Sequence, residues 1–389
     1  MSVWGRLAPR YEGSEQRPHK LLALDGGGIR GIIPLKVLER IEQLLAEATG
    51  AGPDFRLCHY FDYIAGTSTG AIIAAGLARG MTAAEMLSFY EHKGTAMFDK
   101  RFVLRRWQAI YKSEPLKKEL QETFGAQTRL HPDDLECLML AVTRNRTTDS
   151  PWPISSNPQA KYNDVSRPDC NLNIPLWHIV RASTAAPVFF PPEVIQWDPK
   201  DPDKAFVFVD GGMTPYNNPA FLLYRMATDS AYRLNWATGE DKLLLISIGT
   251  GAAPCLDGDV DDPNRGLVAN VAGIPNALMY GAQVDQDINC RHVGRCVHGA
   301  MVDRELGDMI PKDDSGRPVP LSQDLGRHFL YARYNADISR EGLDAMGLQD
   351  VEPAQVGKLD SVEFTDELLR VGLKLAEEVR LEHFGTFAG

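Results

Sequence analysis

Three small groups of residues in this 389-residue chain have the types and spacing for covalent chemistry. Ser68 lies in Gly66-Thr67-Ser68-Thr69-Gly70, a G-x-S-x-G string. Asp210 ends the apolar run AFVFVD and precedes Gly211-Gly212. Gly26, Gly27 and Gly28 follow Asp25 and lead into Ile29-Arg30-Gly31. A serine hydroxyl attacks a carbonyl only when a base takes its proton, and the resulting oxyanion needs preset donors. The three groups supply one candidate for each task.

Context gives the serine its weight. A strand before and a helix after a G-x-S-x-G make a sharp elbow that exposes the hydroxyl at the carboxyl edge of a sheet. YFDYIAG reads as that strand and AIIAAGLARG as that helix. Nine histidines are available as base, at 19, 59, 92, 131, 178, 292, 298, 328 and 383, and none stands in a turn just after a predicted strand. His178 falls inside a predicted helix, where a packed or solvated ring is expected. Asp210 is the better candidate, because strand ends of an open α/β sheet converge on one crevice. An aspartate becomes a useful base when burial raises its pKa.

The glycine run admits more than one reading. GGGIRG fits G-x-G-x-x-G after a strand, so a nucleotide-binding module with a structural Ser68 is the main alternative. Asp25 would crowd a pyrophosphate, and GAGPDFRLCH (50–59) offers no second strand ending in an acid for a ribose. A Walker loop is excluded, since no Lys-Ser or Lys-Thr follows. A tight turn without a ligand is the plain alternative. Consecutive glycines opening a helix can also converge their N–H groups on a developing negative charge.

The surrounding elements alternate. KLLALD (20–25), YFDYIAG, CLMLAVT (137–143), AFVFVD and KLLLISIGTG (242–251) read as strands, with helices predicted from Ile32, Ala71, Thr82, Leu176 and Asn217. Thr82-x-x-Glu85 is a capping box. Phe364, Leu368, Val371, Leu375 and Val379 mark a terminal amphipathic helix. The Pro-, Asn- and Ser-rich segment 147–175 is expected to be a surface excursion, and 252–266 and 303–325 irregular loops. The fold class is therefore α/β, with a mostly parallel sheet covered on both faces.

Composition narrows the partners. A net charge of −11 argues against a nucleic-acid polymer. The start lacks an apolar signal region and Ile64–Ala78 is too short to span a bilayer, so a cytoplasmic protein with reduced cysteines is expected. KRFVLRRWQAIYK (100–112) combines cations and aromatic rings in a way that suits transient contact with an anionic membrane surface, or a solvated helix. No metal or cofactor is expected. Asp257, Asp259 and Asp261 lack the loop glycine and closing glutamate of a calcium loop, and Cys290, His292, Cys296 and His298 lack common zinc spacing.

Together DGGGIRG (25–31), GTSTG (66–70), ASTAAPVFFPP (182–192) and DGG (210–212) resemble the patatin-like phospholipase family, in order over residues 20 to 220. The resemblance implies a patatin-like three-layer sandwich, a domain over 18–335 and a helical extension over 336–389 packed on the same core. It implies a Ser68–Asp210 dyad acting on acyl esters of membrane phospholipids, with Gly26, Gly27 and Gly28 binding the oxyanion. Arg30 would support that loop or a substrate phosphate. Some family members are bacterial antiviral effectors switched on by cyclic oligonucleotides, and the length after the DGG is compatible with that subgroup. A third reading is a signalling protein that hydrolyses only after such an activator binds, and a homodimer is compatible with either.

Overall fold

Residues 21–24, 63–67, 138–142 and 243–248 are buried over their full length, as expected of strands covered on both faces. In the computed structural model, which describes residues 2–98, 114–187, 190–198, 200–253, 267–302, 305–310, 312–316 and 326–389, they lie at the centre of one sheet. The strands are β1 (His19–Leu24), β2 (Tyr63–Thr67), β3 (Leu138–Asn145), β4 (Ser150–Ser155), β5 (Glu193–Gln196), β6 (Ala205–Asp210), β7 (Leu243–Ile248), β8 (Arg295–His298) and β9 (Leu330–Tyr334). Their order is β5-β6-β3-β2-β1-β7-β9-β8, with β4 paired to β3. The six from β3 to β8 run parallel, while β4, β5 and β6 join antiparallel.

Two apolar clusters sit on opposite faces, because neighbouring strand residues point opposite ways. Leu22, Leu24, Ile64 and Ile246 face a cluster shared with α1 (Ile32–Thr49), α2 (Thr69–Ala78), α3 (Ala83–Phe98), α5 (Leu176–Ser183) and α8 (Thr365–Ala376). Leu21, Ala23, Tyr63 and Leu245 face α6 (Ala220–Thr228), Trp236 and the end of α7 (Leu267–Val293). A further helix, α4 (Glu114–Phe124), precedes β3. The result is a three-layer α/β sandwich. The predicted capping box of α3 forms, with Thr82 N–H on Glu85 Oε2 and Glu85 N–H on Thr82 Oγ1.

Residues 336–389 have no core of their own. Ile338, Leu343, Val356, Leu368, Val371 and Phe384 belong to the first cluster. Helix α8 lies so close to α1 that a Cβ on Gly372 would come 3.1 Å from the Cα of Ile33. Part of the expected excursion over 147–175 is instead β4. Its Pro151 and Pro153 are tolerated because the strand pairs on one side only, with β3.

Candidate active site

Ser68 connects β2 to α2 and has φ 52° and ψ −120°, a conformation L-residues rarely adopt. The glycines on either side are sterically required. A Cβ on Gly66 would lie 2.0 Å from the Gly70 carbonyl oxygen, and one on Gly70 would lie 2.2 Å from that of Leu24. The start of α2 thus presses on both β2 and β1, which forces the elbow. The backbone N–H of Ser68 donates to Ser183 Oγ at 2.9 Å, and its hydroxyl donates to Asp210 Oδ2 at 2.6 Å.

Asp210 reaches Ser68 by a route that differs from the one expected. Strand β6 does not run alongside β2; it enters from beyond the carboxyl end of β3 and runs back antiparallel to it. The register pairs Thr67 with Val142 and Asp210 with Thr143. Strand β4 fills the other edge of β3 over 140–145, so the end of β2 and the end of β6 meet on one edge of β3, and there the side chains of Ser68 and Asp210 come together. The convergence is real, but an antiparallel strand makes it.

Asp210 is 6% exposed. Burial raises its pKa from 3.8 to about 6, against the lowering effects of the Ser68 hydroxyl, the Gly212 N–H and the Arg181 charge. Its Oδ1 accepts the Gly212 N–H at 2.7 Å, and its own N–H donates to the Ala185 carbonyl at 3.0 Å. One carboxylate oxygen is thereby fixed, leaving Oδ2 to the serine. Among the described residues no histidine ring bonds to either member of the pair. His178 Nε2 lies 2.8 Å from Glu193 instead.

The glycine loop lies beside Ser68: a Cβ on Gly26 would come 3.3 Å from Ser68 Cβ. One member of the expected donor set is corrected. The Gly26 N–H donates to the Asn217 carbonyl at 3.0 Å and is not free for an oxyanion. Among the described residues nothing accepts from the N–H of Gly27 or Gly28. Arg30 is buried and directs Nη1 to the Gly251 carbonyl at 3.1 Å and Nε to that of Gly27 at 3.4 Å. Burial lowers its pKa to about 10. Its guanidinium braces the loop.

Sequence reasoning gave Asp25 no partner. Its carboxylate is fully buried and takes both Nη atoms of Arg333 on β9, at 2.8 and 2.6 Å. Burial disfavours the charge on Arg333, but Asp25 outweighs it and holds the guanidinium charged above its usual range. The outer side of the loop is also covered. Ile29 N–H donates to the Leu359 carbonyl at 3.0 Å, and a Cβ on Gly28 would lie 2.2 Å from that oxygen.

The family model of the patatin-like phospholipases matches residues 22–224, just over half of the chain, and takes in the loop, Ser68 and Asp210. The chain belongs to the patatin-like phospholipase family. Patatin-17 of Solanum cardiophyllum is 32% identical over 253 residues, covering 61% of this chain and 61% of the relative. A cGAMP-activated phospholipase of Vibrio cholerae is 30% identical over 254 residues, covering 62% of this chain and 66% of the relative. The chain thus spans less than two thirds of the length of either.

In this patatin-like protein the remaining chemistry-bearing groups stay apart from the pair. Cys290 and Cys296 are buried free thiols, and burial pushes Cys296 up to about 12. His298 stacks on His383 with ring centroids 4.5 Å apart. Among the described residues no group of three or more His, Cys, Asp or Glu could hold a metal ion, and no helix is long and apolar enough to cross a membrane. The basic-aromatic stretch 100–112 and the acidic run at Asp257, Asp259 and Asp261 lie outside the described residues.

Proposed function

We propose that this protein is a serine lipid acyl hydrolase of phospholipase A type, cleaving acyl esters of membrane phospholipids through a Ser68–Asp210 dyad. The observation that carries the reading is the 2.6 Å hydrogen bond from Ser68 Oγ to Asp210 Oδ2, formed beside a loop with two free amides. As Ser68 Oγ attacks the ester carbonyl carbon, Asp210 Oδ2 takes its proton. The N–H groups of Gly27 and Gly28 receive the oxyanion. Collapse of the tetrahedral intermediate breaks the bond to the leaving alcohol, which takes the proton from Asp210 and departs as the lysophospholipid. Water then attacks the acyl-serine and gives its proton to Asp210, and that proton returns to Ser68 Oγ as the fatty acid leaves.

A carboxylate with a pKa near 6 fits this work better than an ordinary aspartate. It is ionised at neutral pH and a stronger base than an exposed one. The proposal extends to activation by a cyclic nucleotide, supported by the 30% identity to the Vibrio cholerae relative, with a role in antiviral defence following from that activation. The matching location is cytoplasmic, with peripheral contact to the bilayer.

The competing nucleotide-binding reading meets a physical obstacle. A pyrophosphate on GGGIRG would need the N–H groups at the helix start, and Leu359 already takes that of Ile29. Two experiments separate the readings. A fluorophosphonate probe labels wild-type protein at Ser68 and leaves Ser68→Ala unlabelled if the hydrolase reading holds; absence of labelling, with nucleotide binding retained, favours the other. Release of fatty acid from mixed phospholipid vesicles, with and without a panel of cyclic nucleotides, then distinguishes constitutive from switched hydrolysis.

A further inference from the structure

The two free amides of the glycine loop each belong to a peptide unit whose other end is held. The Gly26 carbonyl accepts from Thr250 Oγ1 at 2.9 Å and from Asn217 Nδ2 at 3.4 Å. The Gly27 carbonyl accepts from Arg30 N–H at 3.2 Å and from Arg30 Nε at 3.4 Å. A trans peptide is planar, and its C=O and N–H point in opposite directions. Holding the Gly26 carbonyl therefore fixes the direction of the Gly27 N–H, and holding the Gly27 carbonyl fixes that of the Gly28 N–H. Glycine backbone left to itself would sample many such orientations.

Thr250 is well placed for this. Strands β1 and β7 are parallel with Leu24 opposite Ile248, so Gly26 and Thr250 stand level, two residues past the paired strand ends. Thr250 is fully buried, and a Cβ on Gly27 would lie 2.1 Å from its Oγ1 and 2.5 Å from its Cβ. It cannot touch a substrate, so any effect on chemistry passes through the loop. An oxyanion donor contributes most when its direction is set before charge develops.

We propose that Thr250 is a positioning residue of the oxyanion loop: its hydroxyl, by gripping the Gly26 carbonyl, aims the Gly27 N–H at the developing oxyanion. The inference rests on the Ser68–Asp210 hydrolase reading.

The test uses the full chain and a soluble short-chain p-nitrophenyl ester. Thr250→Val keeps the volume and removes the hydroxyl. It lowers kcat by about ten- to a hundred-fold, less than complete loss of a donor would, and leaves KM near the wild-type value, because the donor acts in the transition state. Thr250→Ser, which restores the hydroxyl, recovers most of that loss. Should the valine variant fail to fold, Thr250→Ser and Thr250→Ala differ by one oxygen with the same methyl missing, and the serine variant is the faster. If turnover requires an activator, the rate of Ser68 phosphonylation by a fluorophosphonate gives the same comparison. An unchanged kcat in Thr250→Val, or equal kcat in the serine and alanine variants, overturns the proposal while the hydrolase reading survives. Full activity in a parallel Ser68→Ala sample overturns the hydrolase reading itself.

Discussion

Ser183 ties the candidate nucleophile to the neighbouring strand: its Oγ accepts the Ser68 N–H at 2.9 Å and donates to the Val142 carbonyl at 2.7 Å. Two residues on, the Ala185 carbonyl accepts the Asp210 N–H at 3.0 Å. One short segment at the end of α5 thus grips the backbone of both members of the pair. Ser183→Ala would leave the Ser68 amide and the Val142 carbonyl short of a partner. Each buried unsatisfied group costs about 1–3 kcal/mol. The expected outcome is a lower urea midpoint with an unchanged m-value, together with a fall in kcat as the elbow loosens. Equilibrium unfolding and ester hydrolysis on one sample check both, and an unaltered midpoint would contradict the account.

The φ of 52° at Ser68 makes a second prediction. Alanine removes the hydroxyl but keeps the Cβ and its strain; glycine removes both. Backbone strain of this kind costs on the order of 1–3 kcal/mol, while glycine loses about 0.4–1 kcal/mol through a freer unfolded chain. Both Ser68→Ala and Ser68→Gly are expected to be inactive, with the glycine variant the more stable by about 1 kcal/mol. Thermal unfolding of the pair decides, and a less stable glycine variant would show that the elbow is not strained.

Asp210 links pH to both activity and stability. In its proposed role as base Asp210 must be ionised, so kcat/KM is expected to rise as pH passes about 6. The stability effect has the opposite sense. Its folded pKa is raised above the ordinary 3.8, so between those values the folded state holds more proton than the unfolded state, and stability falls as pH increases. Above about 6 the penalty is complete, on the order of 3 kcal/mol for a shift of this size. Asp210→Asn removes the charge. It is expected to melt above the wild type at pH 8, with the difference vanishing near pH 4. Melting curves across that range measure it, and an equal difference at both ends would locate the pKa shift elsewhere.

The parts legible in the sequence were those written locally. β1 and β2 announce themselves as apolar runs stopped by glycines, and Gly66 is explained by a backbone contact within its own turn, whereas Gly70 is required by the Leu24 carbonyl of the neighbouring strand. The illegible parts depend on distant partners. The direction of β6 is fixed by its antiparallel pairing with β5 and β3, and nothing in AFVFVD encodes it. Pro151 and Pro153 hid β4, since prolines argue against a strand until its one-sided pairing is known. The loss of the Gly26 amide to Asn217 involves a residue nearly half the chain away. In LYARY, which forms β9, Arg333 interrupts the apolar pattern that marks a buried strand, and the partner that matches its charge, Asp25, is 308 residues away.

That pairing yields a prediction of its own. Asp25 closes β1 immediately before the glycine loop, and Arg333 reaches it across β7 with Nη1 also donating to Ser247 Oγ at 2.7 Å. Removing one partner of a buried pair strands the other charge, at a cost of about 3–5 kcal/mol. Replacing both by neutral groups of similar size costs much less, because desolvation then disappears with the attraction. Arg333→Met alone should therefore be severely destabilised, and Asp25→Asn combined with Arg333→Met should recover most of the loss. A double-mutant cycle by urea unfolding measures the coupling. Additive effects would mean that the bidentate geometry contributes nothing to the fold. Coupling together with lost hydrolysis in the restored double variant would show that the pair also sets the path of the loop that follows Asp25.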